Sequence, residues 1–125
     1  MSIVLRELAH EVIGGAIEVH RVLGPGLLES TYRRCLAIEL EARHLQLECE
    51  IEVPVIYRGV SVGASYRLDM LVENVVIVEI KSVEHLLPLH SAQVLTYLKL
   101  TTAEKALLLN FNVPILKSGL KSFVK

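Results

Sequence analysis

With 125 residues, 52% of them apolar, the chain has the length of one ordinary domain and enough apolar side chains for a core without disulfides. A net charge of −1 excludes a uniformly basic nucleic-acid coat. The longest charge-free stretch, the 14 residues 85–98, holds His85, Pro88, His90 and Gln93 and is too short and too polar to span a bilayer.

Cys35 and Cys49 form no C-x-x-C pair, and no signal peptide is evident, so both are expected reduced and buried in a soluble, cytoplasmic protein. Charge is segregated along the chain. Residues 35–84 carry nine acids and four bases, whereas residues 85–125 carry five lysines and only Glu104. Either a basic groove beside an acidic pocket or ordinary solvated lysines would give this pattern.

Leu5, Leu8, Ala9, Val12, Ala16, Val19 and Leu23 recur at helical spacing and predict an amphipathic helix over residues 3–22. Gly14-Gly15 within it points to close approach of another element. Gly24-Pro25-Gly26 ends the helix. A second helix, Leu28 to about Arg43, follows from Leu28, Tyr32, Cys35, Leu36 and Leu40.

The period then changes to two. Leu45, Leu47, Cys49, Ile51, Val53 and Val55 alternate with polar residues and Pro54, predicting an edge strand with one wet face. Arg58-Gly59 reads as a hairpin turn into a strand around Val60–Val62, followed by another extended segment from Tyr66 to Val72 and a turn at Glu73-Asn74. Val75–Lys81 is apolar on both faces until Glu79, the mark of a central strand. A helix from about His90 to Leu100, a strand over Ala106–Phe111 and a short last strand at Leu120–Val124 complete a single domain over residues 1–125.

Pairing of the strands on either side of Glu73-Asn74 brings Asp69 close to Glu79, and alternation puts Glu79 and Lys81 on one face. A carboxylate in an apolar central strand is costly unless paired or bound to a cation. Magnesium, with oxygen ligands from Asp69, Glu79 and the Ile80 carbonyl, supplies that cation, and Lys81 is placed to stabilise charge on phosphorus. The competing reading is a surface Glu79/Lys81 ion pair. Glu29 and Tyr32 are three apart on the second helix: Glu29 either reaches the site or is a first-turn glutamate favoured by the helix dipole. His90, Gln93 and Tyr97 form a narrow stripe that either touches nucleic acid or braces the lysine, unless His90 is a helix-start residue and Tyr97 a boundary aromatic. His20 reads as structural.

Asp69 followed by Glu79-Ile80-Lys81 resembles the PD-(D/E)xK signature, with Leu68 in place of its proline, and Gly26-Leu27-Leu28-Glu29-Ser30-Thr31-Tyr32 resembles the motif of the GxxExxY family. Gln93-x-x-x-Tyr97 is similar to an element of RecB-like nucleases. The resemblance implies an α/β, restriction-endonuclease-like core with a central four-stranded mixed sheet flanked by helices. It implies a nuclease of Mg²⁺ (Mn²⁺ as substitute) acting on nucleic acid, DNA before RNA, without strong sequence specificity. Carried over, the catalytic set is Glu29, Asp69, Glu79 and Lys81, with Glu29 also a metal ligand. Gln93, Tyr97, His90 and Tyr32 are the substrate-contacting candidates. The alternative is a catalytically idle module of the same fold that binds nucleic acid or a protein partner, and an exposed edge strand would also suit a homodimer.

Overall fold

A computed structural model describes residues 4–125, the side chain of Ala64 excepted. The chain runs α1 (Leu5–Leu23), α2 (Glu29–Ala42), β1 (Leu47–Tyr57), β2 (Val60–Val72), β3 (Val76–Lys81), α3 (Pro88–Leu100), β4 (Lys105–Asn110), a short 3₁₀ turn (Leu116–Gly119) and β5 (Leu120–Val124). Ile3, expected in the first helix, lies outside the described residues. Among those residues no helix is long and apolar enough to cross a membrane.

The strands form one sheet in the order β1-β2-β3-β4-β5, antiparallel throughout except for the parallel pair β3/β4. A parallel pair needs a crossover, and α3 supplies it. The sheet therefore has five strands where four were expected, because β5 continues it beyond β4 from Lys105↔Val124 to Leu109↔Leu120. Helices cover both faces. Leu8, Val12, Leu36 and Leu40 of α1 and α2 pack on Met70, Val72, Val78 and Leu107. Val94, Tyr97 and Leu98 of α3 pack on Leu68, Ile77 and Leu108 from the opposite side.

Gly15 sits where α1 crosses α2, and a Cβ there would come within 2.7 Å of Leu40 Cδ2. Leu40 is fully buried and cannot swing away. Gly15→Val is accordingly expected to destabilise the fold by about 1–3 kcal/mol, read as a lower melting temperature.

Both short turns form as the sequence requires. Arg58 and Gly59, and likewise Glu73 and Asn74, all have positive φ, the backbone hand that matches strand twist; the first pair closes a two-residue hairpin, the second opens the three-residue turn 73–75. The two extended segments expected on either side of residues 63–65 are instead one strand, β2. A register shift between Pro54 and Ile56 absorbs Gly63, whose φ is +76°, as a bulge. Pro54 lies on the edge strand as expected.

The single wet face predicted for β1 is corrected. Leu47 joins the α1/α2 side of the core while Ile51 and Val53 join the α3 side, although strict alternation would put all three together. Glu50 lies between them with φ +54°, and the β1/β2 ladder lacks the Glu50–Asp69 pair. The strand thus changes faces at Glu50. Cys49 falls on the changeover and is exposed, and Cys35 is half-buried, so neither is buried as expected.

Candidate active site

The irregularity at Glu50 and Asp69 prepares the site. β2 pairs with β3 only through Met70↔Val78, Leu71↔Ile77 and Val72↔Val76, so the two strands part at Asp69 and Glu79. Their side chains take over the backbone bonds the ladder drops. The Asp69 N–H donates to Glu79 Oε1 at 3.0 Å, and the Ile80 N–H donates to Asp69 Oδ2 at 2.8 Å. Each carboxyl therefore uses one oxygen on a strand amide, and the second Asp69 oxygen, Oδ1, lies 3.5 Å from an Arg33 guanidinium nitrogen.

The Ile80 carbonyl faces the same gap. Lys81 O accepts the Phe111 N–H from the β4 side at 2.9 Å, and along a strand the amide and carbonyl of the preceding residue, Ile80, point the other way, toward β2. The Asp69 carboxylate meets that amide.

Glu79 is only 5% exposed. Burial, and then the neighbouring Asp69 charge, push its pKa up to about 8, against a smaller opposing pull from Lys81. Two carboxyls this close in a poorly solvated gap ionise together at neutral pH only at a cost, which a bound cation would remove. The donors on hand, two carboxyl oxygens and a carbonyl, are the hard oxygen set that magnesium takes, with water and phosphate left to complete its shell. The residues present fit the ion.

Glu29 opens α2 and accepts the Ser82 N–H at 3.0 Å, while Ser82 Oγ donates to Leu27 O at 2.6 Å. The segment just after Lys81 is thereby tied to the start of α2. Glu29, expected as a further metal ligand, has one oxygen on the Ser82 N–H, and among the described residues no group of three metal-ligating His, Cys, Asp or Glu side chains forms. Lys81 is half-buried on the Glu79 face and makes no ion pair within 4.0 Å among the described residues.

Tyr32 is fully buried instead of lining a substrate surface. Its ring stacks on Phe111 at 4.5 Å, and its hydroxyl donates to Gly24 O at 2.5 Å and accepts the Leu27 N–H at 3.2 Å. It holds the glycine turn in place ahead of Glu29. Tyr32→Phe removes both bonds and is expected to lower stability by about 1–2 kcal/mol in denaturant titration. His90 serves its own helix, with Nδ1 accepting the Leu87 N–H at 3.0 Å. His20 is structural, its Nε2 donating to Val113 O at 2.8 Å.

Gln93 and Tyr97 lie one turn apart on α3, and both line a groove beside the sheet. Tyr97 reaches the carboxylates' surroundings: burial, then Glu79 and Asp69, raise its hydroxyl pKa.

A family model described as the PD-(D/E)XK nuclease superfamily matches residues 6–123. The chain belongs to that superfamily. No curated protein and no solved structure matches it. Superfamily membership suggests nuclease activity, and the mixed sheet between helices is consistent with a restriction-endonuclease-like fold.

Three charged residues beside Asp69, namely Arg33, Glu50 and Arg67, were not expected there from the sequence. Arg33 sits 3.5 Å from Asp69 Oδ1 and 3.2 Å from Glu50 Oε1, and Arg67 lies 3.7 Å from Glu50. Arg33 is four residues after Glu29, on the same helix face, and that spacing was the available signal. Nothing in the sequence marks Glu50.

Proposed function

We propose that the protein hydrolyses phosphodiester bonds of nucleic acid with Mg²⁺ as cofactor and Mn²⁺ as a substitute, DNA being the expected substrate. The observation that carries this reading is the parting of β2 from β3 at Asp69 and Glu79, which turns two carboxyls and a carbonyl toward one gap. Asp69, Glu79 and Ile80 O would hold the ion. When bound, magnesium polarises a phosphoryl oxygen and lowers the pKa of water in its shell. Lys81, on the Glu79 face, donates to a phosphate oxygen or orients the attacking water. Glu29 positions the Lys81–Ser82 segment through the Ser82 amide.

The Gly26–Tyr32 block supports placing the chain in the GxxExxY group. No described element resembles a base-reading module, so cleavage is expected to lack strong sequence specificity and, by the family resemblance, to leave a 5′-phosphate. One observation favours the second reading, an idle binding module: Arg33 already offers Asp69 a positive partner.

Purified protein incubated with single- and double-stranded DNA and RNA, with Mg²⁺, Mn²⁺ or chelator, separates the two. Metal-dependent cleavage lost in Asp69→Ala and Lys81→Ala supports the nuclease. Metal binding without cleavage by any form supports the module, and equal cleavage by all forms indicates a contaminant and sinks the nuclease reading.

A further inference from the structure

The β1–β2 hairpin outruns the sheet. β2 meets β3 only at Met70–Val72, whereas its pairing with β1 continues to Val60. Between this free arm and α3 lies an open groove of about 430 Å³, lined by Val55, Tyr66, Leu89, Gln93, Thr96 and Tyr97 among others, with no charged side chain in its wall. Tyr66 is 51% exposed, and its ring lies 6.5 Å from that of Tyr97 at 52°. Tyr97 in turn belongs to the same core cluster as Leu68, the residue before Asp69, and Ile77, two residues before Glu79. Through Tyr97 the groove wall is continuous with the core layer under the two carboxyl-bearing strands.

We infer that this groove receives an unpaired nucleobase of the substrate strand, stacked on Tyr66 beside the phosphodiester being cut. The inference rests on the nuclease reading above. A wall without cations, near two acids, suits a phosphate poorly, whereas a largely apolar slot with an exposed aromatic side chain suits a base. Base stacking on aromatic side chains is worth enough to matter and tolerates any base. A duplex keeps its base faces stacked and hidden, so only a single-stranded or locally opened segment can present one. The Gln93 carboxamide, exposed on the groove wall, offers a donor and an acceptor to the base edge. Tyr66, not the buried Tyr97, has the open face.

The test measures binding apart from turnover. Protein carrying Lys81→Ala, with Mg²⁺ present, is titrated with a fluorescent 12-nucleotide single strand and with the corresponding duplex, alone and combined with Tyr66→Ala or Tyr66→Phe. Tighter binding of the single strand, weakened about tenfold by Tyr66→Ala and kept by Tyr66→Phe, is the expected result. An abasic residue at one position of the strand should reproduce the Tyr66→Ala loss. Equal affinity of all forms, preference for the duplex, or a Tyr66→Ala effect on self-association alone would overturn it. Cleavage that needs Mg²⁺ and Lys81 but ignores Tyr66 overturns this inference only. Tyr66-dependent strand binding by a protein that cleaves nothing upholds the base site and overturns the nuclease reading.

Discussion

Lys81→Met is expected to lower magnesium-dependent hydrolysis by about 10²–10⁴-fold while moving the melting temperature little. Methionine keeps most of the lysine stem and its packing at the end of β3 but removes the ammonium. No ion pair is broken among the described residues, so the loss is one of chemistry. A second readout separates catalysis from structure. The Lys81 charge holds the Glu79 pKa down against burial and Asp69, so its removal pushes that pKa further up. Whatever activity remains should therefore have a pH profile displaced to the alkaline side. Wild-type turnover in Lys81→Met, or a residual profile that does not move, would remove the lysine from the mechanism.

The legible parts of the site were those fixed by local rules. Glu73-Asn74 could only be a tight turn, and a tight turn between two apolar strands brings Asp69 to Glu79 whatever the rest of the chain does. The apolar run before Glu79 required cover on both faces, and α2 and α3 provide it. What stayed hidden depended on how the strands leave each other. The odd-numbered apolar residues from Leu45 to Val55 predict one dry face, but the ladder gap at Glu50 and Asp69 turns the strand over, and only tertiary context sets the positive φ of Glu50. Helical spacing alone does not put Tyr32 on the Glu29 face. A residue three positions after Glu29 is rotated about 60° from it, enough here for its ring to stack on Phe111 in the core. Arg33, four positions on, stays nearer the Glu29 direction and is the one that meets Asp69. The fifth strand was visible as a short segment, but the family resemblance set the strand count at four.

The metal-free protein is expected to lose stability as pH rises from about 5 to about 8 and to level off above that. Glu79 ionises near 4.5 in the unfolded chain, whereas in the fold burial and Asp69 raise its pKa to about 8. Between those values the folded state holds a proton that the unfolded state has released, so unfolding gains with each step up in pH. The slope is at most about 1.4 kcal/mol per pH unit, and it belongs to the Asp69/Glu79 pair as a unit. Glu79→Gln keeps a neutral acceptor for the Asp69 amide and should flatten the curve, leaving the variant more stable than wild type at pH 8. Magnesium reverses the trend, because it must displace the same proton. Its apparent affinity is expected to rise about tenfold per pH unit up to pH 8, with about one proton released on binding at pH 6–7 and none near pH 10. Calorimetric titration in two buffers of different ionisation enthalpy reads that proton directly. Chemical denaturation across the same range reads the stability, and an unchanged slope in Glu79→Gln would mean that the raised carboxyl is not the one facing the gap.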